Sequence, residues 1–215
     1  DAGTSAEVLP SVLNLAAAGG LDLAYASDLA TDAMAALGIE ASAGNLTQFG
    51  DQMARASSKA NYSVAQLGEA ILTVGGTAKN LAGGTVELNT ALGVLANRGI
   101  KGAEGGTALR NMILSLSAPT DKAAATLKSL GVSAFDAEGN LNPLNETFKK
   151  MDAAMQSMSQ EKKTNVLNDI FNKVDLKSAE AMLAGCGAEL ERQAREKYLS
   201  GDYKLGTLNF AGQRI

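Results

Sequence analysis

Residues Gly99–Met112 read GIKGAEGGTALRNM, with four glycines inside eight residues and an amphipathic helix pattern directly behind them. A glycine-rich stretch that opens a helix has two physical uses. Its backbone N–H groups can cradle a phosphate at the helix N-terminus, or its missing side chains can let two helices turn and pack closely. The phosphate reading fails on the residues: no Gly-Lys-Ser/Thr follows, and no strand pattern precedes. The stretch is therefore read as a helix-to-helix turn. Gly99, Gly102 and Gly106 shape it, Thr107 caps or starts the helix, and Arg110 lies one turn in. A buried Arg110 needs a carboxylate partner, and Asp136 or Asp169 is expected to supply it.

Working outward, apolar residues recur at helical spacing almost everywhere. Upstream, Ser63 and Gln66 form the capping box SVAQ. Behind it Val64, Leu67, Ile71, Val74, Ala78 and Leu81 make a continuous packing seam. Gly75-Gly76 interrupts the seam and is expected to mark a close helix crossing rather than a kink. Before this lie a helix over roughly residues 5–18, with TSAE from Thr4 as its capping box, a second capped by Asp22 and ended by Gly38, and a third over about 44–59. Gly83-Gly84 precedes a helix with Leu88, Leu92 and Leu95 inward, ended by Gly99. Leu109, Met112, Ile113 and Leu116 carry the next stripe.

Pro119 breaks the pattern, and a short amphipathic helix closes at Gly131. Near 132–142 the period changes, and a small hairpin or loop is expected, with Asn142 capping a helix whose first residue is Pro143. Leu144, Phe148, Met151, Met155 and Met158 then form a second seam, read as core rather than an open methionine groove. Two more helices follow. The fold class is all-α: a multi-helix bundle with Gly-rich interhelical turns. Residues 1–190 are expected to form the core domain, with a possible sub-boundary near 118–132, and residues 191–215 a helix extension and linker.

Composition narrows the chemistry. The 215 residues include no histidine and one cysteine, Cys186, read as a small buried hydrophobe. The common zinc sites and histidine-dependent nucleophiles are thereby excluded from this chain. Carboxylate-only catalysis would need two acids across a cleft. Glu69, Glu87 and Glu104 are available, but each reads as a cap or helix-surface residue. Asp136–Thr147 imitates a calcium loop yet has Leu141 and Thr147 where glycine and glutamate belong. No catalytic, metal or cofactor residue is assigned.

Residues 1–80 hold eight acids and three bases, a net of −5, against +1 for the remainder. That balance argues against nucleic-acid binding. No apolar run is long enough to span a membrane. The chain opens on Asp1 and ends abruptly, as a piece of a longer protein would.

Four segments then line up in order: VLNLAAAGGLDLAYASDLATDAMAALGI from Val12, LANRGIKGAEGGTALRNMILSLSAPT from Leu95, LGVSAFDAEGNLNPLNETFKKM from Leu130, and LNDIF from Leu167. Together they closely resemble the core region of phage tail tape-measure proteins, over roughly residues 5–185. The family often places glycine after the IF; here the residue is Asn172.

The resemblance implies a structural role as a molecular ruler in the tail. It implies partners among tail tube, tail tip and tail chaperone proteins, possible self-association, and a location in the virion tail, preceded by the host cytoplasm during assembly. It also implies departure ahead of the DNA at infection, and it offers no catalytic residues to carry over. A peptidoglycan-cleaving domain of a tail protein and an unrelated helical interaction module are the alternatives.

Overall fold

The computed structural model describes residues 2–40 and 42–185, with side chains from residue 9 onward. Ten α-helices follow one another: α1 (Ala2–Gly19), α2 (Leu23–Leu37), α3 (Ala43–Lys59), α4 (Val64–Val74), α5 (Gly84–Asn97), α6 (Gly102–Ser117), α7 (Asp121–Ser129), α8 (Leu144–Met155), α9 (Gln160–Phe171) and α10 (Leu176–Gly185). A 3-10 turn, Gly75–Asn80, joins α4 to α5. The described residues contain no strand, only an isolated antiparallel bridge between Phe135 and Leu141. The bundle is all-α, as the periodicity predicts.

Local chemistry sets most helix starts. Asp22 accepts from Ala24 N and Tyr25 N at the head of α2. Ser63 and Gln66 complete the expected reciprocal capping box on α4. Thr120 and Ser159 cap α7 and α9. Gly38 ends α2 in the left-handed conformation, where a glycine pays no Cβ penalty. The first helix departs from expectation: α1 already runs from Ala2, so Thr4–Glu7 lies within it rather than ahead of it.

One connected apolar core runs from Val12 to Met182. Both predicted seams lie in it. Val64, Leu67, Ile71, Val74, Ala78 and Leu81 are all buried, and so are Leu144, Phe148, Met151 and Met155, whereas Met158 lies beyond the end of α8 and is only half-buried against the core. The methionine stripe is therefore core. Phe148 and Phe171 stack at 5.5 Å, tying α8 to α9.

The 132–142 stretch is the small loop its turn residues predict. Asp136 Oδ1 accepts from Glu138 N and Asn140 N, and its backbone N–H donates to Asn140 O. The helix after it starts one residue later than expected, with Pro143 rather than Asn142 at the cap position. Cys186 and the extension and linker expected over 191–215 lie outside the described residues. No helix among those described is long and apolar enough to cross a membrane.

Candidate functional site

The Gly99–Met112 stretch is a turn followed by a tight helix crossing. Leu95 O accepts from Ile100 N, and Ala96 O from Gly99 N, closing α5 with Gly99 at φ +83°. Gly102 then opens α6 at φ +55°. Both positions need a backbone that side-chain-bearing residues rarely adopt.

Gly106 needs space instead. A Cβ there would lie 2.6 Å from Thr73 Cβ and 3.0 Å from the Ala70 carbonyl carbon. The crossing partner is thus α4, and the contact is with the Ala70 carbonyl and the Thr73 Cβ, neither of which can rotate away. A Cβ on Gly102 would meet the Glu69 carboxylate at 2.5 Å.

The close crossing expected at Gly75-Gly76 is not found there. Gly75 leaves α4 at φ +55°, and a Cβ on either glycine would meet nothing within 4 Å. This pair ends the helix and starts a tighter turn. The crossings lie at Gly106 and at Gly68, whose absent Cβ makes room for Leu29 Cδ1.

Two further expectations are corrected. Thr107 does not start α6, which begins five residues earlier, but sits half-buried in its second turn. Arg110 is half-buried, and among the described residues it pairs with neither proposed acid. Asp169 is held by Lys122 at 2.6 Å, and Asp136 by its own loop through Asn140. The residue that pins this helix is the next one along. Asn111 Nδ2 donates to both oxygens of the buried Asp175 carboxylate, at 3.2 and 3.1 Å, linking α6 to the start of α10.

The sequence also undervalues Glu87. From the first turn of α5 its Oε2 accepts from Gly83 N at 2.7 Å, and its Oε1 accepts from Leu144 N at 2.5 Å. One carboxylate thus closes its own turn and caps α8, 57 residues away. Burial lifts the Glu87 carboxyl above the usual carboxylate range, against the downward pull of the two backbone bonds, and the Glu146 charge adds to the rise. The only sequence signal was negative: Leu144 follows Pro143, which has no side chain able to cap.

Glu87 and Glu146 share a mostly apolar recess of about 260 Å³. That is below the roughly 300 Å³ floor of small-molecule sites. Both Glu87 oxygens already face backbone donors, leaving neither aimed at a leaving group. Glu146 is exposed and lies 4.0 Å from Lys150. This is a structural cap. Glu69 and Glu104 sit on the surface, and Glu104 lies 3.6 Å from Lys177. No group of three or more acidic or cysteine side chains able to hold a metal occurs among the described residues.

Relatives carry the same segment. The family profile for phage-related minor tail proteins matches residues 1–172. The tape measure protein of Pneumococcus phage Dp-1 is 30% identical over 187 residues, 86% of this chain and 16% of that protein. The probable tape measure protein of Escherichia phage P2 is 30% identical over 141 residues, 64% of this chain and 17% of that protein. The chain spans about a sixth of the length of these relatives. No solved structure matches. The match runs through every element from the α1 helix to the end of α9, including both glycine-bearing crossings, and by it the chain belongs to the phage-related minor tail protein family.

Proposed function

We propose that this chain is a folded station within a tail tape-measure protein, acting in tail assembly, tail-length determination and genome delivery without catalysing a reaction. The observation that carries this reading is the match to tape measure proteins over most of the chain, in a segment whose glycines serve helix packing. Its partners are tail tube, tail tip and tail chaperone proteins, with self-association a further possibility. It resides in the virion tail and, during assembly, in the host cytoplasm. Residues 1–190 act as the core unit, with 191–215 leading onward. Gly99, Gly102, Gly106, Thr107 and Arg110 are structural residues of the α5–α6 connection, not ligand contacts.

The test is an in-frame deletion of this segment from the parent phage, with tail length read by negative-stain electron microscopy. A fold of this size is about 45 Å across. The same residues as one continuous helix would span about 320 Å. Tails of near-normal length, or no tails, support a folded station. Shortening by the full helical length would mean that the segment serves as extended ruler in the virion and would refute the folded-station reading.

A further inference from the structure

The groove between α2 and α4 presents chemistry that its own chain leaves unmatched. Gly68 lets α4 approach α2 so closely that a Cβ there would lie 2.5 Å from Leu29 Cδ1. Leu29 is thereby fixed as the floor of an open groove of about 440 Å³. Tyr25 and Leu72 stand along it, 47% and 39% exposed. The rim carries Asp28 and Asp32, one helical turn apart on α2, and Glu69 on α4.

Among the described residues, no lysine or arginine lines the groove. None of the three carboxylates has an ion-pair partner among the described residues. The groove thus joins partly exposed apolar side chains to charge of a single sign. Burying Tyr25 and Leu72 removes apolar area from water, and the Asp28 and Asp32 carboxylates favour a cationic partner, whereas the Glu69 carboxylate lies against Gly102 at the head of α6.

We propose that the α2–α4 groove is a docking surface for a basic amphipathic helix of another protein. Such a helix would lay its apolar face into the groove, as in helix-in-groove recognition. The incoming apolar stripe lies on Leu29 between Tyr25 and Leu72. Lysines or arginines spaced i and i+4 on its flank meet Asp28 and Asp32, which have that same spacing. The exposed Tyr25 ring offers a face to one of these cations. The net charge of −5 on residues 1–80 steers such a partner inward and repels nucleic acid and anionic lipid. A bound metal is a poorer occupant, because no cluster among the described residues has metal-holding geometry. This inference rests on the groove itself and does not require the tail reading.

The test titrates a helical peptide into the isotope-labelled 215-residue chain and follows amide shifts by NMR. The probe is an alanine-based helix of about 18 residues, long enough to be helical, with one leucine stripe and lysines flanking it at i, i+4. The control peptide carries glutamate at every lysine position. The expected result is shifts confined to α2 and α4 with the lysine peptide and none with the control. Asp28→Lys with Asp32→Lys should weaken binding by about tenfold or more, and Leu72→Ser should weaken it as well. All three positions are exposed, and an unchanged melting temperature verifies the fold of each variant.

Absence of shifts overturns the proposal. So does equal binding of the two peptides, or binding that spreads over the acidic surface and ignores Leu72→Ser. Concentration-dependent dimerisation abolished by the charge reversal, without peptide binding, would assign the groove to a second copy of this chain and also overturn it.

Discussion

Gly106→Ala is the sharpest perturbation of the α4–α6 crossing. The added methyl would sit 2.6 Å from Thr73 Cβ and 3.0 Å from the Ala70 carbonyl carbon. Carbon atoms in good contact are about 3.5–4.0 Å apart. The helices must therefore separate by about 1 Å at the crossing, since neither a β-branched residue nor a peptide carbonyl can swing aside. Separation loosens the packing of Leu109 and Ile113, both fully buried.

Overpacking of this kind costs about 1–3 kcal/mol, and the contact with backbone puts this site at the upper end. Alanine recovers about 1 kcal/mol of helix propensity. The net expectation is a loss of about 2 kcal/mol, or a fall in Tm of about 4–8 °C for a domain of this size. Urea unfolding followed by circular dichroism reads it, with an unchanged m-value showing that the effect lies in stability. Gly76→Ala is the internal control: its Cβ meets nothing within 4 Å, so alanine there should stabilise by about 0.5–1 kcal/mol. If Gly106→Ala falls within about 0.5 kcal/mol of the parent, or Gly76→Ala costs as much as Gly106→Ala, the assignment of the crossing is wrong.

Asn172 holds φ +65° and ψ 164°, a region costing about 1–3 kcal/mol for any residue but glycine. Asn172→Gly should raise stability by about 1 kcal/mol after the greater unfolded-state freedom of glycine is subtracted; a lower Tm by calorimetry would contradict this. Glu87 has its carboxyl pKa raised in the fold, so the folded state holds its proton more tightly than the unfolded chain does. Its stabilising contribution is then complete below the ordinary carboxylate range and declines as pH rises through the raised value. Relative to Glu87→Gln, the parent should lose stability as pH rises above the ordinary carboxylate range of about 4, and urea titrations in which it gains instead would show that the two backbone hydrogen bonds outweigh burial. Asn89 is fully buried with neither side-chain polar atom partnered, so Asn89→Leu should stabilise by about 1–2 kcal/mol; destabilisation in the same assay would mean that the amide fits its site better than a leucine.

What could be read from the sequence was the local part of the structure. Asp22, Ser63 with Gln66, and Gly38 act within a few residues of themselves, and all stand where their chemistry placed them. The two apolar seams were equally legible, because a period of 3.6 needs no knowledge of the partner. The misplacements share a cause: each depends on what lies across a gap. Gly75-Gly76 and Gly106 look alike as letters, and only the neighbouring helix decides which one is crowded. Arg110 and Asn111 are adjacent on α6, and the side chain that faces Asp175 follows from how α10 is laid down. The cap expected from Asn142 is a local inference that the tertiary structure overrides, since Glu87 caps α8 from α5.

The same distinction bears on the proposed role as a folded station in a longer tail protein. Helix length translates into tail length only where the chain is extended, at 1.5 Å per residue. The aligned tape measure proteins carry about five-sixths of their length outside this segment. Within the segment, the sequence commits residues against extension. Gly99 and Gly102 turn the chain back, Gly106 seats α6 against the α4 backbone, Gly68 makes room for the Leu29 side chain of α2, and Glu87 and Asp175 each tie helices far apart in sequence. None of these features would stabilise a single straight helix, and glycine in one costs about 1 kcal/mol at each position. Alanine at these glycines would favour an extended helix, so the residues present serve the folded bundle and the surfaces it presents.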